Sequence, residues 1–223
     1  LPACIQTMFS SGVPKAFTAL CERAGVPVTT LNTGSLCCGT PWKSKGFLKG
    51  YETQLKRAEE RLAGIPVPIV VDAASCTEGF HVMQSKSSSE EFKAVQIVDV
   101  VKFAHDWLLP HLTVTHRLGS IALHPTCSST HLGLNDALKG LAEAIADEAY
   151  VPLDWGCCAF AGDRGMLHPE LNASAAKREA AEINSRHFDA YASLNRTCEI
   201  GIGRATGKPY VHILELVEQA TRP

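Results

Sequence analysis

Residues 36–42 read Leu-Cys-Cys-Gly-Thr-Pro-Trp, and residues 155–160 read Trp-Gly-Cys-Cys-Ala-Phe. Each stretch places two cysteines side by side, at Cys37-Cys38 and at Cys157-Cys158. Neighbouring cysteines cannot easily form two separate disulfides without strain, but both can bind one polynuclear metal centre. The two pairs therefore decide how the rest of the sequence is interpreted.

Each pair is flanked by one cysteine on either side. The two intervals are 33 and 38 positions in the first half of the chain, and 30 and 40 positions in the second half. The order of the cysteines is therefore the same in both halves. The eight cysteines of this pattern are the candidate ligands: Cys4, Cys37, Cys38, Cys76, Cys127, Cys157, Cys158 and Cys198.

Local sequence matches extend the repeat. Pro-Ala-Cys at residues 2–4 matches Pro-Thr-Cys at 125–127, and the apolar run at 97–101 matches the run at 213–217. These matches predict a duplicated unit of about 110 residues, with one copy in residues 1–115 and the other in 116–223. The ninth cysteine, Cys21, lies among alanines and leucine, which predicts a buried structural thiol.

Short apolar runs alternate with helical patterns along the chain. Strands are predicted at residues 27–31, 65–72, 120–123 and 150–153, and helices at 14–24, 51–62, 134–145 and 171–183. This alternation predicts an α/β fold in which each half has a small, mostly parallel sheet flanked by helices. The cysteines follow predicted strands, so we expect them on loops at the strand ends, where ligand sites gather in such sheets. The polar tract 85–91 is predicted to be a flexible loop, and 111–119 the connector between the halves.

Composition and charge exclude several classes of function. The chain has 223 residues and nine cysteines, with 21 Lys and Arg against 23 Asp and Glu, so there is no basic excess for nucleic acid. No apolar run reaches the roughly 18 residues of a membrane helix, and residues 1–9 do not resemble a signal peptide. We therefore expect a cytoplasmic protein, compatible with a peripheral position at the inner face of the membrane. The motif Pro-Ala-Cys lies almost at the first residue, which suggests that the chain is a fragment of a longer polypeptide.

The spacing of the thiols favours a large metal centre. Four thiolates can bind zinc, a [2Fe–2S] cluster or a [4Fe–4S] cluster. Structural zinc sites usually contain cysteines two to four residues apart, whereas Gly79 and Gly201 occupy the third position after the last cysteine of each half. We expect one iron–sulfur cluster in each half. Zinc in one half, disulfides and thiols without metal remain alternatives.

Charged and imidazole side chains near the motifs could assist such a centre. Lys45 and Arg164 could offset the negative charge of a thiolate-bound cluster, although solvated loop charges are the more common role. The histidines near the motifs are predicted to have core or surface roles rather than to act as ligands: His81, His124, His131 and His168.

The complete pattern resembles the CCG cysteine-rich domain. That domain occurs in tandem in heterodisulfide reductase, in the iron–sulfur component of glycolate oxidase and in anaerobic glycerol-3-phosphate dehydrogenase. The motifs at residues 37–46, 124–129 and 155–165 are most similar to the C-terminal part of FAD- and iron–sulfur-containing D-lactate dehydrogenases. The resemblance covers essentially the whole chain.

The resemblance implies an iron–sulfur electron-transfer module. In such enzymes a flavin domain oxidises D-lactate or another 2-hydroxy acid, and iron–sulfur modules pass the electrons towards a quinone, a cytochrome or another acceptor. The implied partners are flavin and ferredoxin-like domains or subunits outside this chain, since no flavin or ferredoxin motif is present in it. Gly79 and Gly201 stand where heterodisulfide reductase has a further cysteine, so four ligands are expected per half. The alternative is a zinc- or thiol-stabilised docking module without redox activity.

Overall fold

Two parallel sheets frame the protein. The computed structural model describes residues 1–32, 34 and 36–223. In the first sheet, β1 (Ile69–Val71) pairs with β2 (Ile97–Asp99), with Ile69 opposite Ile97. The second sheet has the order β4-β3-β5-β6 and contains β3 (Leu118–Leu123), β4 (Ala146–Tyr150), β5 (Ala190–Ser193) and β6 (Val211–His212). All pairings are parallel, which confirms the predicted α/β class.

Helices cover the sheets and carry most of the chain. They are α1 (Cys4–Met8), α2 (Val13–Arg23), α3 (Thr40–Ser44), α4 (Leu48–Leu62), α5 (Ala74–Lys86), α6 (Glu90–Lys93), α7 (Val100–Phe103), α8 (Cys127–His131), α9 (Asn135–Ile145), α10 (Arg164–Leu167), α11 (Pro169–Ala175), α12 (Lys177–Asn184), α13 (Arg196–Thr206) and α14 (Ile213–Ala220). A π-helical turn (Ala104–Leu108) and a 3-10 turn (Leu109–His111) follow α7. Among the described residues, no helix is both long and apolar enough to cross a membrane.

The sequence repeat is visible in the order of elements. Strand β1 leads into α5 and β2 into α7, just as β5 leads into α13 and β6 into α14. The helices that open the two units also correspond, since α1 begins at Cys4 and α8 begins at Cys127. The two halves are therefore built on one plan.

Corresponding helices meet across the contact between the halves. Helix α1 packs against α13, and α5 packs against α8, so each opening helix contacts the other half's helix that carries the last cysteine. The Ser75 N–H donates to Asn195 Oδ1 at 3.3 Å, and the Arg196 guanidinium donates to the Phe9 carbonyl at 3.2 Å. This reciprocal contact brings the cysteine-bearing ends of the two halves towards each other.

Three apolar clusters account for the core. The largest joins both halves, because Leu20 and Val100 of the first half share it with Leu138 and Leu214 of the second. Each of the two smaller clusters surrounds one set of cysteines: one contains Cys38, Cys76, Phe80 and Met83, and the other contains Cys158, Phe160 and Cys198. Cys21 is fully buried in the shared cluster, which confirms its predicted burial, and this burial raises the pKa of its thiol to about 11.

Several predicted elements differ in the structure. Residues 27–31 form no strand, because none of the described strands forms backbone hydrogen bonds with them. The strand predicted at 150–153 lies earlier, at Ala146–Tyr150. The strand does not continue to 153 because Pro152 has no N–H to donate to a neighbouring strand. The helix predicted at 171–183 is divided at Ala176 into α11 and α12.

The polar tract 85–91 is folded rather than a free loop. Its first two residues end α5, and Ser89 then caps the short helix α6 by accepting from the Phe92 N–H at 3.2 Å. Phe92 is fully buried, and the Ser87 hydroxyl donates to the Glu59 carboxylate. The prediction failed because one apolar anchor, Phe92, stabilises a segment whose other residues are polar.

Asp99 gives the first half a testable dependence of stability on pH. Its buried carboxylate accepts from the Val101 N–H at 2.8 Å and from the Thr77 hydroxyl at 3.0 Å, yet burial raises its pKa to about 7. Between about pH 4 and pH 7 the folded state therefore holds a proton that the unfolded state has released, so the free energy of unfolding falls as pH rises through this window. We expect Asp99→Asn to remove a decline of roughly 2–4 kcal/mol, measured by urea unfolding at several pH values. An unchanged slope in the variant would contradict this assignment.

Candidate metal centres

The outlying cysteines lie in the first turns of helices. Cys4 and Cys127 are the first residues of α1 and α8, and Cys76 and Cys198 are the third residues of α5 and α13. Only the adjacent pairs lie on loops, before α3 and α10. The expectation that all eight lie on loops is therefore wrong for four of them. The reason is that few residues separate β1 from α5 and β5 from α13, so the helix has begun before the cysteine is reached.

In the first half, four thiols converge. Cys37 and Cys38 are hydrogen-bonded through their side chains, Cys38 contacts Cys76 in the same way, and Cys4 lies close enough to Cys37 for their charges to interact. The Gly39 N–H donates to Cys37 Sγ at 3.4 Å, and the Cys38 Sγ lies 3.5 Å from the Thr40 hydroxyl. These four cysteines form the first thiol cluster.

In the second half, the corresponding four thiols converge in the same pairs. Cys127 contacts Cys157, and the sulfurs of Cys158 and Cys198 are 3.3 Å apart. The Ala159 N–H donates to Cys157 Sγ at 3.3 Å, which repeats the contact made by Gly39. These four cysteines form the second thiol cluster.

Burial follows the same order in both clusters. Cys38 and Cys158 are each 5% exposed, and Cys76 and Cys198 are 8% and 7% exposed. Cys4 and Cys127, by contrast, are exposed. Each cluster therefore has one buried side and one side that faces solvent.

The loops keep the same backbone shape although their sequences differ. Gly39 has a φ of 76°, and Ala159, which replaces it in the second half, has a φ of 53°. Both lie in the left-handed region, where alanine is strained and glycine is not. This shape directs the N–H of the residue after the pair back to the first sulfur of the pair.

A histidine belongs to the second cluster. A ring nitrogen of His124 and the sulfurs of Cys158 and Cys198 all lie within 4.8 Å of one another, and all three residues are buried. His124 Nδ1 lies 2.7 Å from Glu179 Oε1. His124 was predicted to have a core or surface role, and its place beside two thiols was missed. The other three histidines near the motifs bond elsewhere, to the Ile97 carbonyl, Glu78 and Glu170.

The electrostatics of the two clusters differ. Hydrogen bonds between thiols and burial raise the pKa of Cys37 far above its usual value, and the contact with Cys76 and burial raise that of Cys38 to about 12, outweighing a hydrogen bond from Cys37. In the second cluster, a hydrogen bond from Cys198 and then the neighbouring imidazole of His124 lower the pKa of Cys158. Burial alone lowers the pKa of His124, but Cys158 and Glu179 raise it to about 9. The imidazole of His124 is one cause of this difference in thiol pKa between the two clusters.

Helix α5 approaches the first cluster too closely for another ligand. A Cβ atom at Gly79 would lie 2.6 Å from the Thr40 hydroxyl oxygen and 2.9 Å from the Cys38 carbonyl oxygen. At Gly201, a Cβ atom would lie 3.0 Å from the Asn172 amide nitrogen. A side chain at Gly79 therefore requires the loop that carries Cys38 to shift, whereas at Gly201 the neighbouring side chains would need to move by only a few tenths of an ångström.

An ion pair joins the two pair-bearing loops. Lys45 follows the first pair and its ammonium lies 2.5 Å from Asp163, which follows the second. Both side chains are about half exposed, 48% and 52%, so the contribution of this pair to stability is small. Lys45 therefore makes a contact between the halves rather than pointing freely into solvent.

The donor set fits a thiophilic metal centre. Soft thiolates bind iron–sulfur clusters and zinc, and buried thiols without a partner would gain little from lying this close together. In addition, Nε2 of the buried His124 has no hydrogen-bond partner among the described residues. The chemistry of the donors suits a thiophilic metal in both clusters, and the unpartnered imidazole nitrogen adds a further donor in the second.

Comparison with known proteins gives relatives of the same length. The chain is 25% identical to lactate utilization protein A of Bacillus licheniformis over 96% of this chain and 95% of that protein. It is 24% identical to lactate utilization protein A of Geobacillus kaustophilus and 23% identical to that of Bacillus subtilis, with the same coverage of each chain.

The family model of the CCG cysteine-rich domain matches two segments, residues 1–80 and 121–203. Each segment contains one thiol cluster complete with its four cysteines. The matched segments span well over half of the chain, and they coincide with the repeat seen in both sequence and structure. The protein is therefore a member of the CCG cysteine-rich domain family, with two copies of the domain in one chain.

Proposed function

We propose that the protein is an iron–sulfur electron-transfer module with one cluster, most simply [4Fe–4S], in each half. The proposed domains are residues 1–115 and 116–223. Cys4, Cys37, Cys38 and Cys76 hold the first cluster, and Cys127, Cys157, Cys158 and Cys198 hold the second. Such clusters accept and release single electrons at potentials set by ligands, charge and exposure.

The observation that carries the proposal is the repeated geometry of the thiols. Two sets of four cysteines converge. In each, the second cysteine of the pair is buried beside the last cysteine, and a backbone N–H donates to the first sulfur of the pair. Backbone N–H groups directed at sulfur stabilise the added negative charge of a reduced cluster. The exposed Cys4 and Cys127 give each cluster a side from which an electron can enter or leave.

The relatives suggest where the electrons come from. They are named for lactate utilization, and we propose that this chain receives electrons from the flavin-dependent oxidation of D-lactate or another 2-hydroxy acid. The flavin and ferredoxin-like partners are proposed as other domains or subunits, with a quinone, cytochrome or other acceptor beyond them. Cytoplasmic location, including the inner face of the membrane, is part of the same proposal.

An apolar surface beside the first cluster supports a protein partner. Trp42, Phe47 and Leu48 are 38%, 59% and 66% exposed, and they line an open cavity of about 460 Å³ next to the first pair-bearing loop. Contiguous exposed apolar side chains of this kind mark contact surfaces. A partner bound there lies close to Cys37 and Cys38.

The metal content of protein purified without oxygen tests the proposal. We expect iron and acid-labile sulfide in near-equal amounts, about eight of each per chain for two four-iron clusters. Anaerobic D-lactate with a flavin-dependent D-lactate dehydrogenase should then bleach the visible absorption of the chain. Zinc without sulfide would contradict the electron-transfer proposal.

A second candidate function is a zinc-stabilised docking module without redox activity. It is favoured by one observation, the group formed by His124, Cys158 and Cys198, since mixed imidazole and thiolate donors are typical of zinc sites. Redox-silent zinc in the purified chain would support this candidate.

A further inference from the structure

The two thiol clusters differ at one position that the repeat makes comparable. Pro-Ala-Cys at residues 2–4 matches Pro-Thr-Cys at 125–127, so His124 corresponds to Leu1. The amino group of Leu1 donates to the Val70 carbonyl at 2.6 Å, and its side chain carries no metal-binding atom. The second cluster therefore has a donor type that the first lacks.

The backbone of His124 is fixed by both neighbouring elements. Its N–H donates to the Ala192 carbonyl at 2.8 Å, and its carbonyl accepts from the Ser193 hydroxyl, also at 2.8 Å. Because these two hydrogen bonds fix the backbone of His124 directly after β3 and beside β5, the ring has few orientations available. The side chains of both His124 and Glu179 are buried, at 0% and 2% exposed.

Glu179 determines which ring nitrogen of His124 is free. A carboxylate only accepts hydrogen bonds, so the contact from His124 Nδ1 to Glu179 Oε1 at 2.7 Å places a proton on Nδ1. The remaining nitrogen, Nε2, is buried and has no hydrogen-bond partner among the residues that the structure describes. A carboxylate on the far nitrogen is the usual partner of a histidine that binds a metal through the near one.

Building on the proposed function, we propose that His124 binds the second centre through Nε2, so that the first centre has four thiolate ligands and in the second an imidazole takes the place of one of the four thiolates. Glu179 is the positioning residue for this ligand. The thiols of Cys158 and Cys198, within 4.8 Å of a ring nitrogen of His124, share the same metal centre with it.

This difference gives the two centres different affinities for an electron. A neutral imidazole in place of a thiolate removes one negative charge and raises the reduction potential of an iron–sulfur centre. With both centres bound, an electron would therefore be held more favourably by the second centre than by the first. The second half would then be the part of the protein in which the reduced centre predominates.

The nitrogen ligand can be detected directly by pulsed electron paramagnetic resonance. Cys38→Ala removes the first centre, so the reduced variant reports only the second. We expect a strong coupling to one bound nitrogen that changes when histidine is labelled with ¹⁵N. It should be absent from Cys158→Ala, which retains only the first centre.

Variants of three histidines complete the test. In the Cys38→Ala background, His124→Gln should lose the nitrogen coupling, and His124→Cys should keep the centre but lower its reduction potential. His131→Gln, one helical turn after Cys127 and bonded to Glu78, should keep the coupling. His212→Gln should also keep it, and this replacement controls for the loss of a buried imidazole, because His212 is equally buried but lies in no metal-binding group among the described residues.

The outcomes separate this inference from the proposed function. Iron–sulfur signals without a bound nitrogen overturn the role of His124 and leave electron transfer standing. Zinc with a nitrogen ligand in its X-ray absorption spectrum, lost in His124→Gln, supports His124 and overturns the clusters. A chain that binds neither metal overturns both.

Discussion

Cys38→Ala is expected to lose about half of the iron and sulfide bound by the chain, and Cys158→Ala the other half. Each residue is the buried member of its pair. Cys38 contacts Cys37 and Cys76, and Cys158 contacts Cys198 beside His124. Removing it takes one ligand from one centre and leaves the second set of four intact. Iron and sulfide analysis of protein handled without oxygen measures the effect, and the double variant should bind none.

Cys21→Ala is the matched control for these replacements. Cys21 is also buried, but it lies in the shared apolar core rather than in a thiol cluster. This variant should keep all of the iron while losing some stability because a buried sulfur is removed. Loss of both centres from either single variant would show that they are not independent sites.

Gly39→Ala is expected to lower the free energy of unfolding by about 2–4 kcal/mol. The residue has a φ of 76°, and a Cβ atom would lie 2.5 Å from the end of Met83 and 2.8 Å from the ring of Tyr51. In this variant the alanine backbone is strained at a positive φ, and its Cβ atom also collides with side chains beside the first thiol cluster. Urea unfolding, with the first centre's iron content measured in parallel, gives both effects.

Gly64→Ala separates the two causes. Gly64 has a φ of 74°, but nothing lies within 4 Å of the position of its Cβ atom. Only the backbone strain remains there, so we expect a loss of about 1 kcal/mol. Equal losses at the two positions would refute the collision at Gly39.

The repeat and the grouping of cysteines were predictable from sequence because both depend on spacing. Eight thiols at matching intervals in a βα repeat converge when the halves fold alike, and the structure brings together the four of each half. The helical positions of Cys4 and Cys198 depend on where a helix begins, which varies by a residue or two and is poorly encoded locally.

The place of His124 was not predictable, for a different physical reason. Its orientation depends on Glu179, which is 55 positions away on another helix, and on strand β5. No local pattern reports such a contact. The match between residues 124–127 and residues 1–4 was the one available signal, because it shows that histidine and leucine occupy equivalent positions.

The reciprocal packing of α1 on α13 and α5 on α8 has the form of a symmetric dimer within one chain. In a true homodimer every substitution appears twice, so both sites change together. Covalent fusion of the two copies removes that constraint. A histidine can then occupy a position in one half where the other half has a leucine. The two sites can therefore differ in their ligands although both halves share one architecture.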